Sequence, residues 1–364
     1  MEAPFRVIDA DGHVTENVNE LFNLWYDRMP EEYRRQAPAY FSDDRGRRFW
    51  VIEGKVWPSY EDSDPAGHHR VQAKDRWFGR EGEYDPHKRM PDMDFMGIDL
   101  SVIFPTRLMG VPAVVKDAGL AVAISRAYNE WLATEYCAAY PDRLKGTAMV
   151  PVQDPEMGVR ELERAVEQGL VGGIFIPHVD DVLLDNKHFY PIYEAAQEMG
   201  VPIAIHNNSV INPARHVMKN YALANSLNTM SSMIGLGSLL LGGVLDDFPR
   251  LKIAFLESGA GWVPYVMERL AARQHAVPYL FSCKNSVEEY VRSDQLYYSC
   301  EPDELTVPMV AQLVGEERLV MGSDYAHFDG SSPESVRLVM QRTDISDDLK
   351  RKILSDNPAR LYNI

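Results

Sequence analysis

The 364-residue sequence predicts an α/β protein with a (β/α)8 TIM barrel and a long insertion after the first strand. Eight short apolar runs have the length and hydrophobicity of buried parallel strands, and segments with helical periodicity separate them. The runs are Phe5–Asp9, Ser101–Pro105, Leu144–Val150, Val171–Pro177, Val201–Ile205, Leu251–Glu257, Leu296–Cys300 and Arg318–Ser323. A doubly wound open sheet is the alternative, because eight strand–helix units can also form an open sheet.

Amphipathic helical segments alternate with these runs. Asp154 is a typical N-cap, and Pro155 after it suits the first helical position, so a helix is predicted over residues 155–168. The other segments are Lys116–Tyr140, Phe189–Met199, Leu227–Leu241, Gly261–His275 and Asp303–Val314. Because no internal repeat or linker interrupts the alternation, residues 1–364 are expected to form one domain.

Residues 22–88 form a connection between the first two predicted strands that is much longer than an ordinary barrel loop. Charged and aromatic residues interleave in it without a clear period. The aromatic residues include Trp25, Tyr26, Phe41, Phe49, Trp50, Trp57, Tyr60, Trp77 and Phe78. One interpretation is a surface excursion with a small hairpin at residues 47–57. The preferred interpretation is a lid that adds aromatic walls to a substrate pocket, because the insertion leaves the carboxyl end of the first strand.

Charge and cysteine content narrow the range of partners. The net charge of −17 makes nucleic acid and anionic membrane surfaces poor partners. The three cysteines are widely separated, which argues against a disulfide framework and is consistent with a reducing cytosol. The sequence shows neither a signal peptide nor an apolar run of membrane-spanning length. We therefore expect a cytoplasmic protein that acts on a small molecule.

Six candidate metal ligands stand at the ends of predicted strands. They are Asp11, His13, His178, His206, Glu257 and Asp324. Asp11 and His13 lie two residues apart, so on an extended strand their side chains point the same way. The carboxyl ends of barrel strands meet at one mouth, and the pattern therefore predicts a metal site there.

Simpler interpretations exist for several of these residues. A histidine that ends a buried strand, such as His178 or His206, can be a core residue, and Glu257 can cap a helix. The shared strand-end position favours ligation in each case. Asp9 and Glu16 flank the first pair; each can orient a ligand, and Glu16 can also touch the ion. Capping or a surface salt bridge is the alternative for both.

Three residues are predicted to act in catalysis. Asp324 follows the last strand, where a carboxylate can bind metal and carry a proton. His327, in the same loop, is a candidate for contacting the substrate or a second ion. His178 and His327 are also candidates for assisting a metal that polarises the substrate carbonyl. Arg107 and Arg215 lie in the loops after the second and fifth strands and are candidates for binding a substrate carboxylate or phosphate. A surface role is the alternative for each arginine.

The motifs resemble those of the amidohydrolase superfamily, in particular its branch of aminocarboxymuconate-semialdehyde decarboxylase-like proteins. The matching segments are VIDADGH, the IPH and AIH strand ends, LKIAFLESGAGWVPYVMERL, GSDYAHFDG and SDNPARLYNI. The resemblance covers nearly the whole chain except the insertion. It implies a metal-centred (β/α)8 barrel, usually with zinc and sometimes with manganese or iron. It also implies hydrolysis or non-oxidative decarboxylation, and commonly a homodimer.

The chain departs from the family pattern at two positions. Asp11 stands at the first histidine of the HxH motif, and Glu257 stands where decarboxylases of this branch carry a catalytic histidine. With Asp324 these residues bring three negative charges, which two divalent ions and a bridging hydroxide would balance. We therefore expect a binuclear site bridged by Asp11 or Glu257, with zinc, iron or manganese. A single ion, with Glu257 as an acid or a cap, is the alternative.

These departures make hydrolysis the leading functional prediction. A metal-activated water would attack an amide, ester or thioester of an apolar acyl or ring-bearing substrate. The alternative is non-oxidative decarboxylation of an aromatic or unsaturated acid, with Glu257 or Asp324 protonating the carbon. A third possibility is a non-catalytic metal- or ligand-binding barrel, against which the intact Asp324 argues.

Overall fold

The computed structural model describes residues 3–17, 21–42, 48–57, 77, 80–177, 182–207, 223, 226–327 and 330–364. Its strands are β1 (Ile8–Val14), β2 (Ala39–Ser42), β3 (Arg48–Ile52), β4 (Lys55–Trp57), β5 (Leu100–Pro105), β6 (Leu144–Gly146), β7 (Ala148–Met149), β8 (Gly173–Phe175), β9 (Ile203–His206), β10 (Ile253–Leu256), β11 (Leu296–Cys300) and β12 (Leu319–Met321).

All strands except β2, β3 and β4 belong to one parallel barrel. Hydrogen bonds join β1, β5 and β6 in one series and β7 through β12 in another. The strands β6 and β7 are consecutive pieces of one strand position, separated only by Thr147. The barrel closes where Asp324 N donates to Asp11 O at 3.0 Å and His13 N donates to Tyr325 O at 2.6 Å. The eight predicted strand positions and the barrel fold are confirmed.

The barrel has an apolar interior and a second apolar layer between strands and helices. Alternate strand residues fill the interior, among them Ile8, Val102, Ala254 and Val320. The residues that point outward from the strands pack against the surrounding helices in the larger cluster. Because successive side chains alternate, each strand residue points either into the barrel interior or toward the helical layer.

The described helices include one in each of the six predicted segments and others that the periodicity did not predict. They are Leu21–Arg28, Glu31–Arg34, Pro86–Met96, Val111–Val114, Ala118–Trp131, Pro155–Glu167, Tyr190–Met199, Thr229–Gly242, Val244–Asp247, Trp262–Ala276, Val287–Val291, Val307–Val314, Ser335–Gln341, Asp347–Arg351 and Asn357–Tyr362. The predicted cap is present, because Asp154 accepts a hydrogen bond from Met157 N at 3.0 Å. Among the described residues, none of the helices combines the length and the apolar character needed to cross a bilayer.

The insertion contains two short helices and an antiparallel sheet of β2, β3 and β4. The predicted hairpin is present, and its turn residues Glu53 and Gly54 both have positive φ, as a type I′ turn requires. The Glu53 carboxylate accepts hydrogen bonds from Lys116 N and Asp117 N at 2.8–3.0 Å, which ties the hairpin to the helix Ala118–Trp131. Tyr60 and Phe78 lie outside the described residues. Movement of this insertion as a lid stays a prediction.

Candidate metal centre

The strand β1 brings Asp11 and His13 to the barrel mouth through a β-bulge. Asp9 pairs with Ser101 and Gly12 pairs with Ile103, so β1 carries one extra residue between these two pairs. Strict alternation would place Asp9 on the same side as Asp11 and His13. The bulge instead leaves Asp9 facing outward, whereas the other two side chains point to the mouth. The strand also runs to Val14, so both candidate ligands lie within it rather than after it.

Three side chains from two strands meet at this mouth. Asp11 Oδ1 lies 3.2 Å from His206 Nε2 and 3.4 Å from His13 Nε2. All three residues are buried, and His206 is the last residue of β9. Their ligand atoms lie close enough together to hold one metal ion. The structure therefore brings these predicted ligands together.

Glu257 and Asp324 join the group from the loops after β10 and β12. Asp324 Oδ1 lies 3.3 Å from His13 Nε2, and Glu257 Oε2 lies 3.4 Å from His206 Nδ1. Both carboxylate residues have left-handed backbone, with φ of 49° at Glu257 and 52° at Asp324. This conformation is costly for residues with a side chain and persists where the surrounding structure enforces it. Two such residues facing one cluster indicate a functional constraint.

His327 completes the group, which we call the candidate metal centre: Asp11, His13, His206, Glu257, Asp324 and His327. His327 Nδ1 lies 2.6 Å from Asp324 Oδ1, and its Nε2 lies 3.1 Å from Thr106 Oγ1. The rings of His327 and His13 are 4.1 Å apart between centroids. Thr106, at the end of the second barrel strand, was not singled out by the sequence.

The surroundings of the His13 ring indicate whether a cation fits this centre. Its Nδ1 is the donor to Pro105 O at 3.1 Å, which leaves Nε2 as the atom with a free lone pair. Burial and the neighbouring His327 lower the pKa of His13 to about 3, so the ring is neutral. Nε2 is buried and makes no hydrogen bond, although it faces the Asp11 and Asp324 carboxylates. A lone pair facing two carboxylates is repulsive unless a cation lies between them, and the residues therefore fit a divalent metal.

The acidic residues of the centre have displaced pKa values. Burial opposes ionisation of Asp11, but the attraction of His206 is stronger and lowers the pKa of Asp11 below its ordinary range. Burial and the negative charge of Asp324 raise the pKa of Glu257 to about 8. In the metal-free centre, Asp11 is thus an anion and Glu257 keeps its proton at neutral pH.

A second set of polar residues lies behind β1, on the side away from the mouth. We call it the support network: Asp9, Arg89, Asp92, Ser101, Ser323 and Tyr325. The Asp9 carboxylate accepts three hydrogen bonds of 2.8 Å, from Ser101 Oγ, Ser323 Oγ and Ser323 N. Asp9 therefore orients the strand that carries Asp11 and His13, as one interpretation of the sequence predicts.

Arg89, from the helix Pro86–Met96, is the largest side chain of this network and is fully buried. Its Nη1 donates to His13 O at 2.6 Å and its Nη2 donates to Ser101 Oγ at 3.4 Å. Its guanidinium also lies 4.8 Å from the centroid of the Tyr325 ring. Gly12 leaves room for these groups, because a Cβ there would lie 2.9 Å from Arg89 Nη2.

Asp92 connects the same helix to the loop that carries Asp324. Its carboxylate accepts a 2.5 Å hydrogen bond from Tyr325 OH and forms an ion pair with Arg80. Sequence reasoning missed both Arg89 and Asp92. The sequence nevertheless contained a signal for their burial, because these two charged residues lie on the same helix as Met90, Met93 and Met96, which are buried.

Glu16 has a different role from ligation. Its buried carboxylate accepts hydrogen bonds from Thr106 N at 3.3 Å and from Arg107 N at 2.8 Å. It therefore caps the loop after β5 rather than joining the groups of potential metal ligands in the described part of the chain. The predicted residues His178 and Arg215 lie outside the described residues, so their roles stay predictions.

Solved structures share this fold. An amidohydrolase from Mycobacterium avium superimposes with a TM-score of 0.82 at 20% identity and covers 99% of this chain and 100% of its own. A 5-carboxyvanillate decarboxylase from Novosphingobium aromaticivorans, solved with manganese, has a TM-score of 0.71 at 22% identity and covers 99% and 97%. At these identities the likeness establishes the barrel fold alone.

Curated relatives match over about three quarters of the chain. A 2-amino-3-carboxymuconate-6-semialdehyde decarboxylase from Dictyostelium discoideum is 26% identical over 77% of this chain and 77% of its own. A gamma-resorcylate decarboxylase from Polaromonas is 25% identical over 76% and 87%. A 2-keto-4-carboxy-3-hexenedioate hydratase from Sphingobium is 26% identical over 73% and 79%.

These relatives overturn the leading functional prediction. The expectation of a hydrolase for an amide, ester or thioester is wrong, because the relatives are mainly decarboxylases of aromatic and unsaturated acids. The prediction relied on the unusual share of carboxylates, and above all on Glu257 in place of a histidine. That inference fails because a ligand set does not determine the reaction it serves, and a carboxylic acid can deliver a proton as a histidine can.

The region of the chain that matches a family model includes the whole barrel. The family described as Amidohydrolase matches residues 8–364, from the first residue of β1 to the end of the chain. This protein therefore belongs to the amidohydrolase family and is an enzyme of that superfamily.

Proposed function

We propose that this enzyme is a metal-dependent, non-oxidative decarboxylase of an aromatic or unsaturated carboxylic acid. The observation that carries the proposal is the match to decarboxylases of such acids over three quarters of the chain. The candidate metal centre supports it, because an acid with a raised pKa faces a set of potential ligands across the barrel mouth.

Asp11, His13, His206 and Asp324 are the residues that would hold the metal. Asp11 Oδ1 and Asp324 Oδ1 both lie within 3.4 Å of His13 Nε2, and Asp11 Oδ1 also lies 3.2 Å from His206 Nε2. A bound divalent ion supplies positive charge to which a substrate carboxylate and a neighbouring oxygen can bind. Two carboxylates and two imidazoles suit manganese, iron or zinc.

Glu257 is the proposed proton donor. Decarboxylation breaks the bond between the ring or alkene carbon and the carboxylate carbon, releases carbon dioxide and leaves an electron pair on the first carbon. That carbon must then take one proton. Glu257 supports this role because, in the metal-free centre, burial and the charge of Asp324 raise its pKa to about 8, so that it holds a proton near neutral pH. After release of carbon dioxide, water returns the proton to Glu257.

Asp324 and His327 are proposed to fix the negative charge beside His13. His327 Nδ1 lies 2.6 Å from Asp324 Oδ1, and Thr106 Oγ1 holds the other ring nitrogen at 3.1 Å. These two contacts orient the Asp324 carboxylate toward His13. Asp324 is therefore the proposed ligand and Glu257 the proposed acid, although both are carboxylates.

The hydrogen bonding of His13 bears on the proposed number of ions. Two groups of potential ligands share this residue: Asp11, His13 and His206 form one, and His13, Glu257, Asp324 and His327 form the other. Since Nδ1 is bonded to Pro105 O, only Nε2 can bind metal, and it can serve one ion. One ion is therefore the simpler proposal. The predicted binuclear site needs further ligands for a second ion and stays a prediction, which metal analysis per chain decides.

The test measures carbon dioxide release and isotope uptake. Purified enzyme with Mn²⁺ is incubated in D₂O with hydroxybenzoates and unsaturated acids, and one deuterium is expected at the carbon that loses carbon dioxide. E257Q is expected to abolish turnover, whereas E156Q, at an exposed helical glutamate, is the matched control. Failure of every acid to release carbon dioxide contradicts the proposal. A hydrated product without carbon dioxide would favour the reaction named for the Sphingobium relative.

A further inference from the structure

Asn207 directly follows the last residue of β9 and contacts both His206 and the loop that carries Glu257. We propose that Asn207 is a positioning residue. Its side-chain amide holds the backbone of Glu257 in the conformation that directs this carboxyl group into the candidate metal centre. The inference rests on the proposed function and deepens it, because it assigns the group that orients the proposed proton donor.

The amide of Asn207 bridges two segments of the chain. Its Nδ2 donates to Glu257 O at 3.2 Å, and its Oδ1 accepts from Ser232 Oγ at 3.1 Å. Because a carbonyl oxygen can only accept, the amide nitrogen must face Glu257, and this orientation also gives the Ser232 hydroxyl an acceptor. Asn207 is buried, so the amide is fixed at both ends away from bulk water.

The backbone that Asn207 holds is strained. Glu257 has a φ of 49°, a left-handed conformation that costs free energy for any residue with a side chain. Asp324, the other left-handed carboxylate of the centre, has its carbonyl held within its own loop, where His327 N donates to Asp324 O at 2.7 Å. No side-chain substitution removes that backbone bond. The Glu257 carbonyl instead takes its bond from a side chain on a different strand.

The backbone carbonyl of Asn207 has a separate role at His206. The Nδ1 of His206 donates to Asn207 O at 2.9 Å, whereas Glu257 Oε2 lies farther from the same nitrogen, at 3.4 Å. Nδ1 therefore carries a proton, and Nε2, which lies 3.2 Å from Asp11 Oδ1, is the ring nitrogen available to a metal. This carbonyl remains in every variant of Asn207. A side-chain substitution thus separates the orientation of Glu257 from metal binding.

Hydroxyl groups of the helix Thr229–Gly242 hold the next residue of the loop. Thr229 Oγ1 donates to Ser258 O at 3.1 Å, and Ser232 Oγ lies 3.2 Å from Ser258 Oγ. These contacts keep the loop attached to the barrel when the Asn207 amide is removed. The expected consequence of its removal is therefore a local rotation of the backbone at Glu257 and not the loss of the loop.

The experiment compares N207A with N129A in the Mn²⁺-loaded enzyme. Asn129 is the matched control, because it is buried and its Nδ2 also donates to a backbone carbonyl, Met149 O, on the helical side of the barrel. The substrate is the hydroxybenzoate or unsaturated acid that the wild type decarboxylates. We expect kcat to fall by about 10–10²-fold in N207A with KM unchanged, since a misplacement of about 1 Å can cost 10²-fold in rate. N129A is expected to keep the wild-type kcat, and both variants the wild-type manganese content.

Crystal structures of the wild type and N207A give a readout that needs no substrate. We expect φ at Glu257 to leave the left-handed region in N207A and its carboxyl group to move away from His206. Unchanged geometry at Glu257, a loss of manganese that parallels the loss of activity, or an equal fall of kcat in N129A would each overturn the proposal. A wild type that releases no carbon dioxide defeats the proposed function, whereas the two structures test Asn207 alone.

S232A is the milder second variant, for the case in which N207A does not fold. It removes the hydroxyl that fixes the orientation of the Asn207 amide and leaves the amide in place. We expect a shift of Glu257 and a fall of kcat in the same direction as in N207A, but smaller. Wild-type geometry at Glu257 together with wild-type kcat in S232A would then overturn the proposal.

Discussion

The support network and the candidate metal centre lie on opposite sides of β1, and they differ in how well their polar groups are matched. Behind the strand, Asp9 accepts three hydrogen bonds and Arg89 donates to the carbonyl of His13. In front of it, His13 Nε2 faces two carboxylates without a hydrogen bond. The polar groups of the support network thus satisfy one another on folding, whereas those of the candidate metal centre fit a bound cation. Both are held by the β-bulge that turns Asp9 away from Asp11.

The largest expected effect comes from removing one charge in the centre. D324N keeps the side-chain size, and asparagine tolerates left-handed backbone, so the fold is expected to survive. Activity is expected to fall by about 10²–10⁴-fold, together with the manganese content per chain. D142N, at an exposed aspartate, serves as the control. Wild-type metal content in D324N would remove Asp324 from the proposed ligand set.

Breaking the support network is expected to affect stability first. R89M removes the hydrogen bonds that the buried guanidinium donates to His13 O and Ser101 Oγ, which is expected to cost about 1–3 kcal/mol in the free energy of unfolding. The control R160M breaks an exposed ion pair with Glu156 and is expected to cost less than about 1 kcal/mol. Urea unfolding measures both. Equal losses in the two variants would mean that the network contributes no more than a surface pair.

Metal binding is expected to stabilise the centre and not the network. Mn²⁺ at about one hundred times its dissociation constant raises the free energy of unfolding by about 2.7 kcal/mol. Thermal unfolding with Mn²⁺ and with EDTA measures the difference for the wild type and D324N. We expect the shift to vanish in D324N. A shift of the same size in both proteins would place the ion elsewhere.

The last expected effect is a pH dependence of the metal-free enzyme. The pKa of Glu257 is raised to about 8 in the folded state, so the folded protein holds the proton more tightly than the unfolded chain does. This contribution is complete below the ordinary glutamate pKa of about 4.3 and is lost as pH rises through about 8. Relative to E257Q, wild-type stability should therefore decline from pH 5 to pH 9. Parallel stability curves for the two proteins would contradict the raised pKa.

Most of the barrel was predictable from the sequence because each strand and helix repeats a local pattern. The runs at residues 171–177, 201–205 and 251–257 are apolar enough to be buried on both faces, and all three contain barrel strands. Asp154 and the hairpin at residues 47–57 were equally local signals. Asp11, His13, His206 and Asp324 were found because they follow or end such runs, and the mouth of a barrel collects strand ends.

The support network was not predictable in the same way. Arg89 and Asp92 belong to a helix 76 residues or more beyond His13, and their partners are the carbonyl of His13 and the hydroxyl of Tyr325. No local period relates these positions. The reaction was mispredicted because the residue types at a site do not by themselves determine which reaction it serves.

By itself, the sequence determined the strands, the helices and the residues that arrive at the barrel mouth, because hydrophobic periodicity and strand ends are local properties of the chain. Only the tertiary structure decided which of those residues join the candidate metal centre and which join the support network. A single extra residue in β1 turns Asp9 toward Ser101 and Ser323 and keeps Asp11 with His13. Register against β5 creates this bulge, and register is a property of two paired strands that neither strand specifies alone.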